Sequence, residues 1–251
     1  MKTREQREIE LHKKLADKYF NIREKHPNGA YYNNIWTNLM LGMVNENPKK
    51  VLDYGCGSAL FYTYLRKKFP KMNYTGVDLS PDMLKVAKSK FKKEKFVEGN
   101  AEKLPFENNS FDFVIGRGIL HHLHNSDNGV KEVSRVLKKG GLFLVSETHS
   151  NIFADILRKI AKKSTEHFDH EHKEFTKKEF ERMFLSNNME IVKEKSFGYL
   201  AFPFGLPDIM RILRIMPNWL FKILVKLDFV IEKIPILNKF SWHIIVVARK
   251  N

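Results

Sequence analysis

The chain has 251 residues, of which 43% are hydrophobic and 29% charged, the composition of a globule long enough to bury the core of one large α/β domain. Its formal net charge of +15 favours anionic partners such as acidic lipid headgroups or nucleic acid, although the lysines are spread along the chain rather than blocked together. A single cysteine, Cys56, excludes an internal disulfide, no uninterrupted apolar run of about 18 residues offers a membrane span, and the charged start MKTREQREIELHKK lacks a secretion signal, so a cytoplasmic location is expected.

Taken in order, Thr3 to Lys25 carries Ile9, Leu11, Leu15, Tyr19, Phe20 and Ile22 among charges, an amphipathic helix expected to end near Pro27 and Gly29. A second helix is expected over Tyr31 to Val44, so that residues 1–47 form a helical cap. Val51 to Leu65, VLDYGCGSALFYTYL, reads as strand, tight turn and helix. Gly55 and Gly57 lack a Cβ, so the turn can take positive φ and a ligand can lie on its backbone. The dinucleotide fingerprint fails because Leu60 stands where its last glycine belongs, and no Lys followed by Ser or Thr closes a phosphate loop.

Asn73 to Leu79, NYTGVDL, reads as a second strand ending in Asp78. That acid lies roughly 20 residues beyond the glycine turn, where a carboxylate in a βαβ unit can accept from both hydroxyls of a ribose. Ser80 caps the next helix with Pro81 at its first position. Lys95 to Gly99 is the third strand, followed by Asn100-Ala101 and the turn LPFENNSFD; Phe111 to Gly116 is the fourth. Arg117 to Leu123 then crosses the carboxyl end of that strand, where ligands of open α/β sheets bind. A helix over Ser126 to Leu137, a break at Gly140-Gly141 and a strand over Leu142 to Glu147 complete five βα repeats.

Two helices are expected between Thr148 and Asn187, joined by EHFDHEHKEFT. His167, Asp169, His170, Glu171 and His172 are metal-ligand types, but adjacent residues rarely face one centre, and a solvated loop with no metal is the reading preferred. Thr176 and Glu179 make a capping box. Tyr199 to Phe240 is an insertion that Pro217 divides into two helices. Arg211, Arg214, Asn218, Lys222 and Lys226 fall on one stripe of it and apolar residues fill most of the rest. Three readings of that face stand: a lid over an apolar substrate, a contact with an anionic membrane surface, or a dimer contact. Ser241 to Lys250, SWHIIVVARK, is a strong strand former.

The run from Asp53 through Gly55 and Gly57 resembles the first motif of the class I S-adenosylmethionine-dependent methyltransferases, with Ala59 where that family more often has a third glycine. Leu104-Pro105-Phe106 and Ser110-Phe111-Asp112 match a pattern frequent in its small-molecule branch, which includes ubiquinone-type methyltransferases. The resemblance implies an α/β fold: a Rossmann-like, seven-stranded, mostly parallel sheet with an antiparallel last strand and helices on both faces. It implies one methyltransferase domain over 1–251, with the cap at 1–47, the core at 48–198 and 241–251, and the helical insertion at 199–240. It also implies S-adenosylmethionine as cofactor, held at Asp53, Gly55, Cys56, Gly57, Asp78, Leu79, Asn100, Ala101 and Arg117. Asn100 replaces an acid common in that loop, and its amide oxygen can still accept from the adenine amine. Tyr19, Tyr31, Tyr32 and Trp36 are lid candidates.

If the acceptor is a phenol or similar hydroxyl, a histidine near its normal pKa suits the base. His121, His149 and His172 are the candidates, the last because many small-molecule members have a histidine shortly before a helix start like Phe175-Thr176. The Asn or Asp, two prolines and aromatic of enzymes that methylate base amino groups are missing after the fourth strand. The expected function is therefore methyl transfer to an apolar small-molecule or lipid-like acceptor, an isoprenoid quinone precursor among them, by a cytoplasmic protein that can be peripheral to a membrane. RNA or protein methylation, favoured by charge alone, and a non-catalytic, membrane-associated cofactor-binding protein stand as alternatives.

Overall fold

The computed structural model describes residues 25–150, 174–205 and 216–251. Seven strands form one sheet: β1 (Lys50–Tyr54), β2 (Asn73–Asp78), β3 (Lys95–Glu98), β4 (Phe111–Arg117), β5 (Leu137–Thr148), β6 (Met189–Phe197) and β7 (His243–Lys250), in the order β3-β2-β1-β4-β5-β7-β6. The first five pair in parallel; β7 runs antiparallel between β5 and β6. The order reverses between β1 and β4, so their carboxyl ends open a crevice, the place where doubly wound sheets take ligands. The expected fold class is the one observed.

Side-chain alternation along the strands decides which helices lie on which face. Val51, Phe113, Ile115, Leu142, Leu144, Ile245 and Val247 face one core, with Leu65 of α2 (Tyr62–Lys68), Leu84 and Ala87 of α3 (Pro81–Lys90) and the aromatic face of α1 (Pro27–Gly42). Leu52, Tyr54, Val114, Phe143, Val145, Ile244 and Val246 face the other, against α4 (Ser126–Val136) and α5 (Lys177–Ser186). A short α6 (Phe202–Gly205) and α7 (Asn218–Ile231) complete the first layer. There Phe221 meets Tyr31 edge-on at 6.2 Å and Tyr32 at 6.1 Å. Asp228 fixes the inner side of α7 by accepting from the backbone N–H groups of Tyr199, Leu200 and Ala201 at 3.0, 2.7 and 3.3 Å.

Local signals placed most elements. Ser80 Oγ accepts from Met83 N at 3.3 Å at the start of α3, and Thr176 and Glu179 form the expected box at the start of α5. Two boundaries differ. α1 starts at Pro27 rather than at Tyr31, because His26 Nδ1 accepts from Gly29 N at 3.5 Å and proline's fixed φ suits a first helical turn. Gly140-Gly141 lies within β5, where the register with β4 jumps from Leu137 opposite Phe111 to Leu142 opposite Phe113; the glycines make a bulge, not a stop. Pro217 is the N-cap of α7. Residues 206–215 of the insertion, with Arg211 and Arg214, lie outside the described residues, as do Tyr19 and the cluster from His167 to His172.

Candidate active site

The turn after β1 is built by its two glycines. Gly55 has φ +69° and Gly57 φ +51°, the left-handed region where a Cβ costs roughly 1–2 kcal/mol. Their surroundings differ. A Cβ on Gly55 would lie 2.6 Å from Ile119 Cδ1, whereas one on Gly57 would meet nothing within 4 Å. The first glycine therefore permits close packing beneath the loop after β4, and the second leaves open space above the turn. Ala59 also has φ 60°, in keeping with a position where the resembling family more often has glycine; its methyl is buried in the core.

Backbone donors tie this turn to β2. Cys56 N donates to Val77 O at 2.9 Å, Gly57 N to Asp78 Oδ2 at 2.7 Å and Ser80 N to Asp78 Oδ1 at 2.9 Å. Each Asp78 oxygen retains a second lone pair, so the carboxylate can hold the turn and still accept from a diol. The Cys56 thiol lies under the turn, 2.8 Å from where a Cβ on Gly76 would be, which leaves the backbone of Cys56 as its ligand-facing part. Ser58 Oγ is buried with no hydrogen-bond partner, a polar atom inside the turn still to be satisfied.

Asp53, Asp78 and Arg117 sit at the carboxyl ends of three adjacent strands, at positions whose alternation puts them on the α1 side of the sheet. Asp53 is 2% exposed and accepts from Tyr74 Oη at 2.8 Å. Burial pushes its carboxyl from an ordinary 3.8 up to about 7; the Tyr74 hydrogen bond and the Arg117 charge pull it down, and Asp78 pushes it further up. The Arg117 guanidinium is held between rings, 4.4 Å from the centroid of Phe61 and 4.9 Å from that of Trp36, and donates to Thr37 Oγ1 at 3.2 Å. Trp36 is fixed in turn by Nε1 donating to Ser146 Oγ at 3.0 Å. A buried acid and a stacked guanidinium within each other's field are what an α-amino-acid zwitterion needs, and an open glycine turn with a diol-type acid lies beside them. Residues and space thus fit an amino-acid-bearing nucleoside.

The remaining candidates separate. Leu79 is half-buried next to Asp78. Asn100 Oδ1 accepts from Glu102 N at 2.7 Å, and Ala101 O accepts from Tyr54 Oη at 2.9 Å, so the loop after β3 is ordered by one bond within itself and one from β1. His121 lies on the short turn Leu120–His122, with Nδ1 2.7 Å from Glu147 Oε2. Glu147 is fully buried and its other oxygen accepts from Ile119 N at 2.8 Å and Leu120 N at 2.7 Å. Burial raises its carboxyl from 4.5 to about 7, against the pull of those two backbone donors. The sequence reading used Glu147 only as the end of a strand and not as a site residue; the available signal was an acid near the carboxyl end of β5, as Asp53 is near that of β1. His149 is 6% exposed, its Nδ1 3.0 Å from Ser241 Oγ beside β7. His172 lies outside the described residues. Among the described residues no three His, Cys, Asp or Glu side chains gather as a metal site.

Residues 52–145 match the family model of a methyltransferase domain. A demethylmenaquinone methyltransferase of Chlorobaculum tepidum is 37% identical over 102 residues, 41% of this chain and 42% of that protein. The phthiotriol/phenolphthiotriol dimycocerosates methyltransferase of Mycobacterium leprae is 37% identical over 100 residues, 39% of this chain and 37% of that one. The chain thus spans less than half the length of these curated relatives. Among solved structures, geranyl diphosphate C-methyltransferase from Streptomyces coelicolor A3(2), in complex with Mg2+, geranyl diphosphate and S-adenosyl-L-homocysteine, superposes with a TM-score of 0.62 at 16% identity, over 87% of this chain and 79% of that one. That likeness is one of fold. Residues 52–145 thus carry the likeness to a methyltransferase domain, and the solved structures extend that likeness in fold to most of the chain.

Proposed function

We propose that this chain, as a single domain, transfers a methyl group from S-adenosylmethionine to an apolar, lipid-like small molecule, with an isoprenoid quinone precursor as the first acceptor to test. The observation that carries the cofactor half is the sharing of one sheet face by Asp53, Asp78 and Arg117 around the open Gly57 turn. The names of the two curated relatives support the acceptor half.

In this reading Asp53 accepts from the cofactor's ammonium, Arg117 donates to its carboxylate, Asp78 accepts from the ribose hydroxyls, and the backbone of Gly55, Cys56 and Gly57 lies along its length. Leu79, Asn100 and Ala101 border the adenine end. The bound cofactor supplies a methyl group on a positively charged sulfur, so the protein needs no covalent nucleophile. What the chain must do is align the acceptor and exclude water. Trp36 and Tyr32 on α1 provide an apolar cover on that side.

His121 is the preferred base, ahead of His149 and His172. With the Glu147 carboxylate accepting from Nδ1–H, Nε2 holds the lone pair that takes a proton from the acceptor hydroxyl, and the carboxylate stabilises the imidazolium that results. Calorimetric titration with S-adenosylmethionine and S-adenosylhomocysteine tests the cofactor half, and binding of neither overturns it. Transfer of a labelled methyl group to a demethylated quinone, against RNA and protein controls, tests the acceptor half; label only on RNA or protein overturns that half alone.

A further inference from the structure

Among the described residues nine large apolar side chains are exposed, and six of them fall between positions 219 and 236. Trp219, Ile223, Leu227, Val230 and Ile234 recur every three or four residues along α7 and the turn after it, which places them on one side of the helix. With Ile236 they are between 43% and 69% exposed. The opposite side is accounted for: Phe221 and Val225 are in the core, and Asp228 holds the backbone of Tyr199, Leu200 and Ala201. The apolar stripe is therefore surplus to folding. Lys222, Lys226 and Lys233 are exposed along one edge of it, about one and two helical turns apart so that they fall in a row, in a chain of net charge +15. Among the described residues no acidic side chain lies on that edge, since Glu232, next to Lys233, is paired with Lys195.

We infer that this side of α7 is a docking surface for an anionic lipid bilayer, on which the helix lies in the plane of the headgroups. An apolar stripe bordered by lysines matches acyl chains bordered by anionic headgroups; a second protein surface would need its own acid row to answer the lysines. Lying flat also agrees with length, since among the described residues no helix is long and apolar enough to cross a membrane. The inference rests on the proposed lipid-like acceptor for its purpose. The outer side of α7 faces the bilayer, its inner side carries Phe221 onto Tyr31 and Tyr32 of α1, and α1 presents Trp36 to Arg117. Membrane, roof and cofactor groove are thus consecutive layers, and an acceptor dissolved in the bilayer has a short route to the groove.

The test is flotation of the full chain with phosphatidylcholine vesicles, with and without phosphatidylglycerol. Wild type is expected to float with the anionic vesicles and to stay down with the neutral ones. Replacing Lys222, Lys226 and Lys233 with Ala should lower partitioning on the order of a hundredfold, about fivefold for each lysine. Trp219→Ser with Ile223→Ser and Val230→Ser should abolish it. Trp36 and Trp242 are buried, so a blue shift of emission on adding vesicles reports Trp219. Wild type that fails to float, floats equally on neutral vesicles, or floats unchanged in both variants overturns the inference. So does a dimer of the wild type that the serine variant splits with no flotation in either, which would make the stripe a contact between copies. S-adenosylhomocysteine titration of the same samples reports the methyltransferase reading separately, because neither set of substitutions touches the groove.

Discussion

In the proposed function Asp53 makes cofactor affinity depend on pH, with a size that can be worked out. Its carboxyl is raised from 3.8 to about 7 by burial, so the empty groove at pH 6 holds it mostly neutral, while an ammonium ligand requires the anion. Binding must then release a proton, and affinity must rise with pH until about 7. From the ionised fraction, the dissociation constant for S-adenosylhomocysteine should fall by about 25-fold between pH 5.5 and pH 7.5, about 2 kcal/mol. Calorimetry at pH 6 in two buffers of different ionisation enthalpy should show close to one proton released per ligand bound. Asp53→Asn should bind weakly with no slope over the same range, while Glu147→Gln, on the other side of the sheet, should keep the slope. The sign for the unliganded fold is opposite. Because the folded value lies above the unfolded one, the folded chain holds this proton between about pH 4 and pH 7, and its contribution to stability declines as pH rises through that window. A wild-type affinity that is flat from pH 5.5 to 7.5 would refute the reasoning, since it would mean that the ammonium does not meet Asp53 or that Asp53 is already ionised.

Asp78→Asn offers one acceptor oxygen where the turn and the diol together use two, and points an NH2 at a backbone N–H; S-adenosylhomocysteine affinity should fall by about 30- to 300-fold on the scale of charge-assisted hydrogen bonds, measured by calorimetry. Glu147→Gln keeps an oxygen for Ile119 N and Leu120 N but turns a donor toward His121 Nδ1, so kcat should drop by about 10- to 100-fold with cofactor affinity unchanged, and His121→Gln should match it without adding to it. The two glycines should respond differently to alanine. Gly55→Ala meets Ile119 at 2.6 Å as well as the strain of φ +69° and should cost about 3 kcal/mol of unfolding free energy in denaturant. Gly57→Ala carries the strain alone, about 1–2 kcal/mol, while its methyl enters the open groove and lowers affinity more than stability.

Asp53, Gly57 and Asp78 were legible because a βα unit is local: an acid closing an apolar run, then glycine, then helix spacing, fixes what sits at the strand's end. The partnership of His121 with Glu147 was not, since the two are 26 residues apart and meet only because β4 and β5 are neighbours. Arg117 was read as a site residue, but its seat between Phe61 and Trp36 depends on α1 crossing the sheet, which no local pattern specifies. α1 begins at Pro27, four residues before the Tyr31 that its apolar spacing suggested, because the cap from His26 adds a first turn that carries no apolar signal. Gly140-Gly141 read as a break because glycine pairs mostly are; the ladder continued through a bulge. The insertion's apolar residues surround α7, so spacing alone did not say which side would be covered; Asp228, with its three backbone donors, marks the inner one.

The charged side chains around the glycine turn all fall between Asp53 and Arg117, within the stretch that the family model matches. The helices above them come from opposite ends of the chain, and α1 is stitched to the start of α7 by Asn218 Nδ2 donating to Asn28 Oδ1 at 2.9 Å and by Asn28 Nδ2 donating to Met216 O at 3.0 Å. In the proposed function, donor chemistry and choice of acceptor are thereby written in separable stretches of the gene. Descent can exchange the canopy while the sulfonium cradle stays as it is, so a change of acceptor should leave its mark at the two ends of the chain first.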